Sequence, residues 1–115
     1  MRILNATPHP IDVVLEEGGR ITLPPSGVVL RLVEEDEPQG EVAGVPLRRR
    51  QFKLPQLPPE LADADIVVVS LPFLMGMAAS GLLPSRPLFV APDTGRDAIR
   101  DEQGRIIAVR AFITM

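Results

Sequence analysis

The stretch Ile66-Val67-Val68-Val69-Ser70-Leu71-Pro72-Phe73-Leu74-Met75-Gly76-Met77-Ala78-Ala79-Ser80-Gly81 decides the fold. Its first four residues form a continuous β-branched run, and Ile66 to Ser70 reads as a strand buried on both faces, in a parallel or central position. Met, Ala and Leu follow at helical spacing. Proline is tolerated in the first turn of a helix, and Gly81 and Pro84 stop one, so a helix is expected from about Pro72 to Gly81. Ser70 reads as an ordinary cap, and because proline disfavours the α conformation in the residue before it, Leu71 is the alternative cap, with Ser70 one residue outside. Pro87 to Ala91 then reads as a strand, which closes one short strand-helix-strand unit.

Upstream of this unit, Arg2 to Leu4 begin a strand that the prolines of Thr7-Pro8-His9-Pro10 end, since each fixes φ and removes an amide donor. Ile11 to Leu15 and Arg20 to Leu23 flank Glu16-Glu17-Gly18-Gly19 and predict a hairpin. Val28 to Val33 reads as a further strand, and the acidic Glu34 to Gly40 as a solvated loop or strand end. Glu41 to Phe52 has strand character with a kink at Gly44, and its run Arg48-Arg49-Arg50 suits an edge strand blunted by charge. Pro59 to Ala62 carries one helical turn. Downstream, Ala98-Ile99-Arg100 and Arg105 to Ile113 flank Asp101-Glu102-Gln103-Gly104 and predict a closing hairpin. The expectation is one α+β domain over residues 1–115, mainly antiparallel, with a single short helix. Its expected core is Ile3, Val13, Ile21, Val29, Val67, Val69, Leu74, Phe89, Ile107 and Val109.

Composition limits the function classes. A net charge of −3 and a pI near 5.1 disfavour nucleic acid, whose non-specific affinity comes from neutralising phosphates. With no cysteine there is no disulfide, thiolate metal site or cysteine nucleophile, which suits a reducing compartment. Residues Met1 to Pro8 lack the apolar segment of a secretory signal, so a cytoplasmic protein is expected. Ile66 to Ser85 is too interrupted to span a bilayer, so no membrane partner is expected. Thirteen prolines and a single asparagine suit a thermophile, and a GC-rich genome leaves much the same mark.

Three short signatures stand out: Asn5-x-Thr7-Pro8-His9, Val68-Val69-Ser70, and Arg100-Asp101-Glu102-x-Gly104-Arg105-Ile106. Together they resemble a family of small bacterial and bacteriophage proteins of no known activity. The similarity is spread over most of the chain. The resemblance implies a compact domain of phage or prophage type, and it carries no activity onto any residue.

His9 is the only histidine, so a histidine-pair metal site is excluded and any catalytic triad must use it. Ser70 stands where a buried strand passes into a helix, a position at which open sheets place ligand sites; the plainer reading is an ordinary cap. No Gly-rich phosphate loop precedes the helix. Asp93, Arg96, Asp97, Arg100 and Asp101 form an acid-base cluster that reads first as surface pairing. The expected site is therefore a polar pocket of Thr7, His9, Ser70 and Arg96 for a small anion or a nucleotide, with no catalytic residue, metal or cofactor assigned. A non-enzymatic binding domain is the expected function. A small hydrolase or transferase acting on a phosphorylated substrate, with His9 and an acid from residues 93–101, is the alternative. Leu71, Phe73, Leu74, Met75, Met77, Leu82 and Leu83 run round the helix, which predicts a homo-oligomer, most simply a dimer.

Overall fold

A computed structural model describes residues 1–115. The strands are β1 (Ile3–Asn5), β2 (Ile11–Val14), β3 (Arg20–Leu23), β4 (Val33–Val42), β5 (Val45–Lys53), β6 (Ile66–Val68), β7 (Leu88–Pro92), β8 (Ile99–Arg100), β9 (Ile106–Ala108) and β10 (Phe112–Ile113). One helix, α1 (Leu71–Ala79), joins β6 to β7, and a 3-10 turn covers Pro59–Asp63. The principal sheet has the order β1-β6-β7-β10, with the first three strands parallel and β10 antiparallel to β7. Three two-stranded antiparallel ladders, β2-β3, β4-β5 and β8-β9, complete an α+β fold. No helix is long and apolar enough to cross a membrane.

The apolar run at Ile66 occupies the centre of the principal sheet, and Val67, Val68 and Val69 are all fully buried. Val67 and Val69 join Phe89 and Ala91 beneath Phe73, Leu74 and Met77 of α1, and Leu4, Ala6, Leu30, Leu61 and Ala64 close that core. Val68 and Val90, of opposite parity, are buried outside it. The other buried apolar side chains, Val13, Ala108 and Val109, come from β2 and the β9 segment. Those segments are tied together by Val14 N–H to Val109 O at 2.8 Å and Val109 N–H to Asp12 O at 2.9 Å. A strand without polar alternation is thus covered on both faces, as its sequence requires.

Several expectations are corrected. Ser70 rather than the alternative Leu71 is the helix cap, with extended backbone of its own, and Pro72 stands at the second helical position. Residues 28–32 are irregular, and Leu30 is the one that turns inward, held by its N–H to Ala6 O at 3.0 Å. Val29 consequently points out and is 43% exposed. Ile21, on the outer strand of the β2-β3 ladder, is also exposed although its partner Val13 is buried, and Ile107 is exposed where it lines a cleft. Ile3 is half-buried. The expected strand from Arg105 to Ile113 breaks in two. Its first part pairs with β8 and its last with β7.

The largest correction concerns the acidic segment. Val33–Val42 is a strand, paired with the basic β5 on either side of a bulge between Pro38 and Glu41. Glu and Asp have low β propensity, but opposite charges across a ladder offset it: Arg50 grips Asp36 with Nε and Nη2 at 2.8 and 3.1 Å, and Lys53 meets Glu35 at 3.1 Å. Gly44 is not a kink within a strand but half of the hairpin's turn. Ala43 and Gly44 have φ of 51° and 79°, the pair of left-handed residues that a two-residue turn between right-twisted strands demands. Every residue of β4 and β5 is exposed, so this hairpin is an arm standing off the body. The radius of gyration is 16.9 Å, where a compact domain of this length has about 13 Å.

Candidate functional site

The chain β1, Asn5, Ala6, Thr7 leaves the sheet beside the end of β6, and one buried side chain shapes the loop beyond it. Asn5 is 2% exposed and fully satisfied. Its amide nitrogen donates to His9 O at 2.8 Å and Leu23 O at 3.0 Å, and its Oδ1 accepts from Thr7 N at 3.0 Å and Thr7 Oγ1 at 2.7 Å. Its backbone carbonyl accepts from Ser26 N at 3.0 Å and Ser26 Oγ at 2.7 Å. One asparagine therefore ties residues 7–9 to the β3 end. Thr7 turns its hydroxyl toward this network, and the exposed His9 imidazole is carried on a loop whose backbone is fixed.

At the neighbouring strand end, Ser70 Oγ accepts from Phe73 N at 3.4 Å. The hydroxyl proton stays free to donate outward. Pro72 has no N–H, and Phe73 N is capped, so Ser70 and Leu71 supply the remaining amides at the start of the helix.

These strand ends form one wall of an open cleft of about 430 Å³, which lies at the carboxyl ends of β1, β6 and β7. Thr7, His9 and Ser70 line it, together with Pro10, Leu71, Pro72, Pro92 and Thr94. Ile11 and Asp12 of β2 and Ile106 to Val109 complete the lining. Each of the three signatures in the sequence supplies lining residues: Thr7 and His9, Ser70, and Ile106. Crevices outside the carboxyl ends of parallel strands are where open α/β sheets bind ligands.

Arg96 does not line the cleft, although Thr94 does. No lysine or arginine lines it, and the one acidic lining residue is Asp12. Asp12 is held by Thr22 Oγ1 at 2.5 Å and Arg20 Nη2 at 3.4 Å. The expected acids of residues 93–101 are absent from the lining too, and Asp93 and Asp101 serve their own turns. Asp93 accepts from Gly95 N at 2.9 Å, and Asp101 accepts from Gln103 N and Arg105 N, each at 2.9 Å. Arg100 reaches the Gly104 carbonyl at 2.8 Å. No group of histidine and carboxylate side chains is arranged to hold a metal ion.

Sequence reasoning overlooks Asn5, Asp12, Thr94 and Ile107. A signal exists for two of them: Asn5 and Asp12 are lone polar residues inside strand-like apolar runs.

No family model, curated protein or solved structure matches this chain.

Proposed function

We propose that this chain is a non-enzymatic binding domain whose cleft takes a small, uncharged, largely apolar ligand. The observation that carries the reading is the convergence of three distant stretches on one concavity at the strand ends, with apolar walls of Ile11, Leu71, Ile106 and Ile107. Its volume of about 430 Å³ is that of a small-molecule site. Polar orientation would come from the His9 ring, the outward proton of Ser70 and the Thr94 hydroxyl.

The sequence suggests an anion or nucleotide phosphate for this site, whereas the charge balance argues for a neutral ligand. Phosphate recognition draws on guanidinium groups or several free amides. Here the cleft has no cationic lysine or arginine, and proline and capping leave only the Ser70 and Leu71 amides at the start of the helix. The hydrolase alternative receives less support for a related reason: the acid beside His9 in the cleft, Asp12, is already paired with Thr22 and Arg20. A cytoplasmic setting and a phage or prophage origin belong to the same proposal, and they rest on the cysteine-free composition and on the resemblance.

The test is thermal shift with a panel of uncharged aromatic and aliphatic fragments, run beside inorganic phosphate and AMP. Ligand at 100 times its dissociation constant adds about 2.7 kcal/mol, a rise of several degrees. Stabilisation by uncharged compounds that disappears in Ile107→Asp is the expected result. Stabilisation by phosphate and AMP alone overturns the reading.

A further inference from the structure

The arm formed by β4 and β5 is about 30 Å long, and a two-stranded hairpin is marginal in water by itself. The register sorts its side chains onto two faces. One face carries Val42, Val45 and Leu47 at the tip, with Glu35, Glu37 and Arg49 below them. The three apolar residues are 59%, 63% and 45% exposed and contribute nothing to this chain's own core. Glu35 is paired with Lys53, but Glu37 and Arg49, directly opposite in register, make no ion pair within the chain.

The charge pattern decides how a second copy fits. Edge-to-edge pairing of β4 with β4 sets the Glu34 to Glu37 run against itself, and β5 with β5 does the same for Arg48 to Arg50. Like charges across a ladder are destabilising, and Pro38 and Pro46 remove donors from these edges. Face-to-face contact has the opposite result. A two-fold axis parallel to the arms lays β4 of one copy over β5 of the other at equal height. Val42 and Val45 then meet the same pair in reverse, and Glu37 comes over the partner's Arg49 on both sides of the axis. We propose that this face of the arm joins two copies of the chain around a two-fold axis running along the arms. Because an arm alone presents less than the area of a standard interface, the association is weak and concentration-dependent.

Sedimentation over micromolar concentrations tests it. Wild-type chain should shift from monomer toward dimer, and Glu37→Arg or Arg49→Glu, each setting like charges face to face, should weaken self-association at least about tenfold. The melting of the body should be unchanged, since both positions are exposed on the arm, and the like charges that each variant also sets across its own ladder remain in the mixture. Mixing the two variants restores both cross-copy pairs, so the mixture should associate where neither variant does alone. A restored pair within one chain cannot produce that outcome. A wild-type chain that stays monomeric, variants that associate like wild type, or a mixture that stays monomeric would each overturn the proposal. Loss of dimer in Met75→Lys with arm variants unaffected would overturn it as well, by moving the contact to the exposed side of α1.

Discussion

Replacing Asn5 by alanine should do more damage than its small volume suggests. The change removes two donor bonds, to His9 O and Leu23 O, and two accepted bonds, from Thr7 N and Oγ1. The partners stay behind in a part-buried region. Each polar group left unsatisfied costs about 1–3 kcal/mol, and Thr7 Oγ1 can turn to the His9 carbonyl, already 3.1 Å away. That leaves Thr7 N and Leu23 O as the main losses, which with the vacated volume gives about 3–4 kcal/mol. Against a total of about 5–15 kcal/mol this is severe. Urea denaturation measures it: with a slope of about 1–3 kcal/mol per molar, the midpoint should fall by more than about 1 M. Thr7→Val, which loses only the hydroxyl, should cost about 1 kcal/mol. Asn5→Asp should be closer to wild type at pH 4 than at pH 7, because only the protonated acid can donate to a carbonyl. An Asn5→Ala protein within about 1 kcal/mol of wild type would refute the claim that this side chain fixes the loop carrying His9.

Phe73→Ala should cost about 3–5 kcal/mol and Met75→Ala under about 0.5, because the first lies beneath α1 and the second on its exposed side; thermal melts separate them. Asp65 should titrate below the ordinary aspartate range, because the Arg2 N–H at 2.7 Å and the Arg86 guanidinium at 2.9 Å favour its ionised form. A depressed folded pKa adds stability above the ordinary value of 3.8, and that is lost as pH falls through the lower folded value. Asp65→Asn should flatten this part of the acid limb, and carboxyl NMR follows the titration directly. Ala43→Gly should relieve the left-handed strain at φ 51°, worth about 1 kcal/mol, and should slow amide exchange along β4 and β5 without moving the melting of the body.

Local pattern carries most of the fold. The unbroken apolar run at Ile66 can only be a strand covered on both sides, and turn chemistry at Gly18 and Asp101 places two hairpins. The hidden features depend on partners distant in the chain. Glu34 to Glu37 look like a loop because the arginine that pairs with Asp36 lies 14 residues on. Val29 reads as core in place of Leu30, since adjacent apolar residues do not reveal which one turns inward. For the site, Thr7, His9 and Ser70 are legible as polar residues at strand ends, and the structure brings them to one cleft. The absence of Arg96 from that cleft is not legible, because the direction of a turn such as Asp93 to Asp97 is set by packing and not by its own composition. Ile107 reads as core for the same reason that makes it a good wall: it is apolar and strand-like, and only the open cleft beside it distinguishes the two roles.

The most direct test of the cleft as a ligand site uses its own reporters. His9 is the only histidine, and it lines the cleft together with Ile106 and Ile107. Ring and methyl resonances of these three residues can be followed by NMR while the uncharged fragments that stabilise the protein are added. All three should shift together along one saturable curve, with the methyl of Ile66 unmoved. Fragments that stabilise the protein yet leave the His9 ring and both methyls in place would contradict the assignment of this cleft as the binding site.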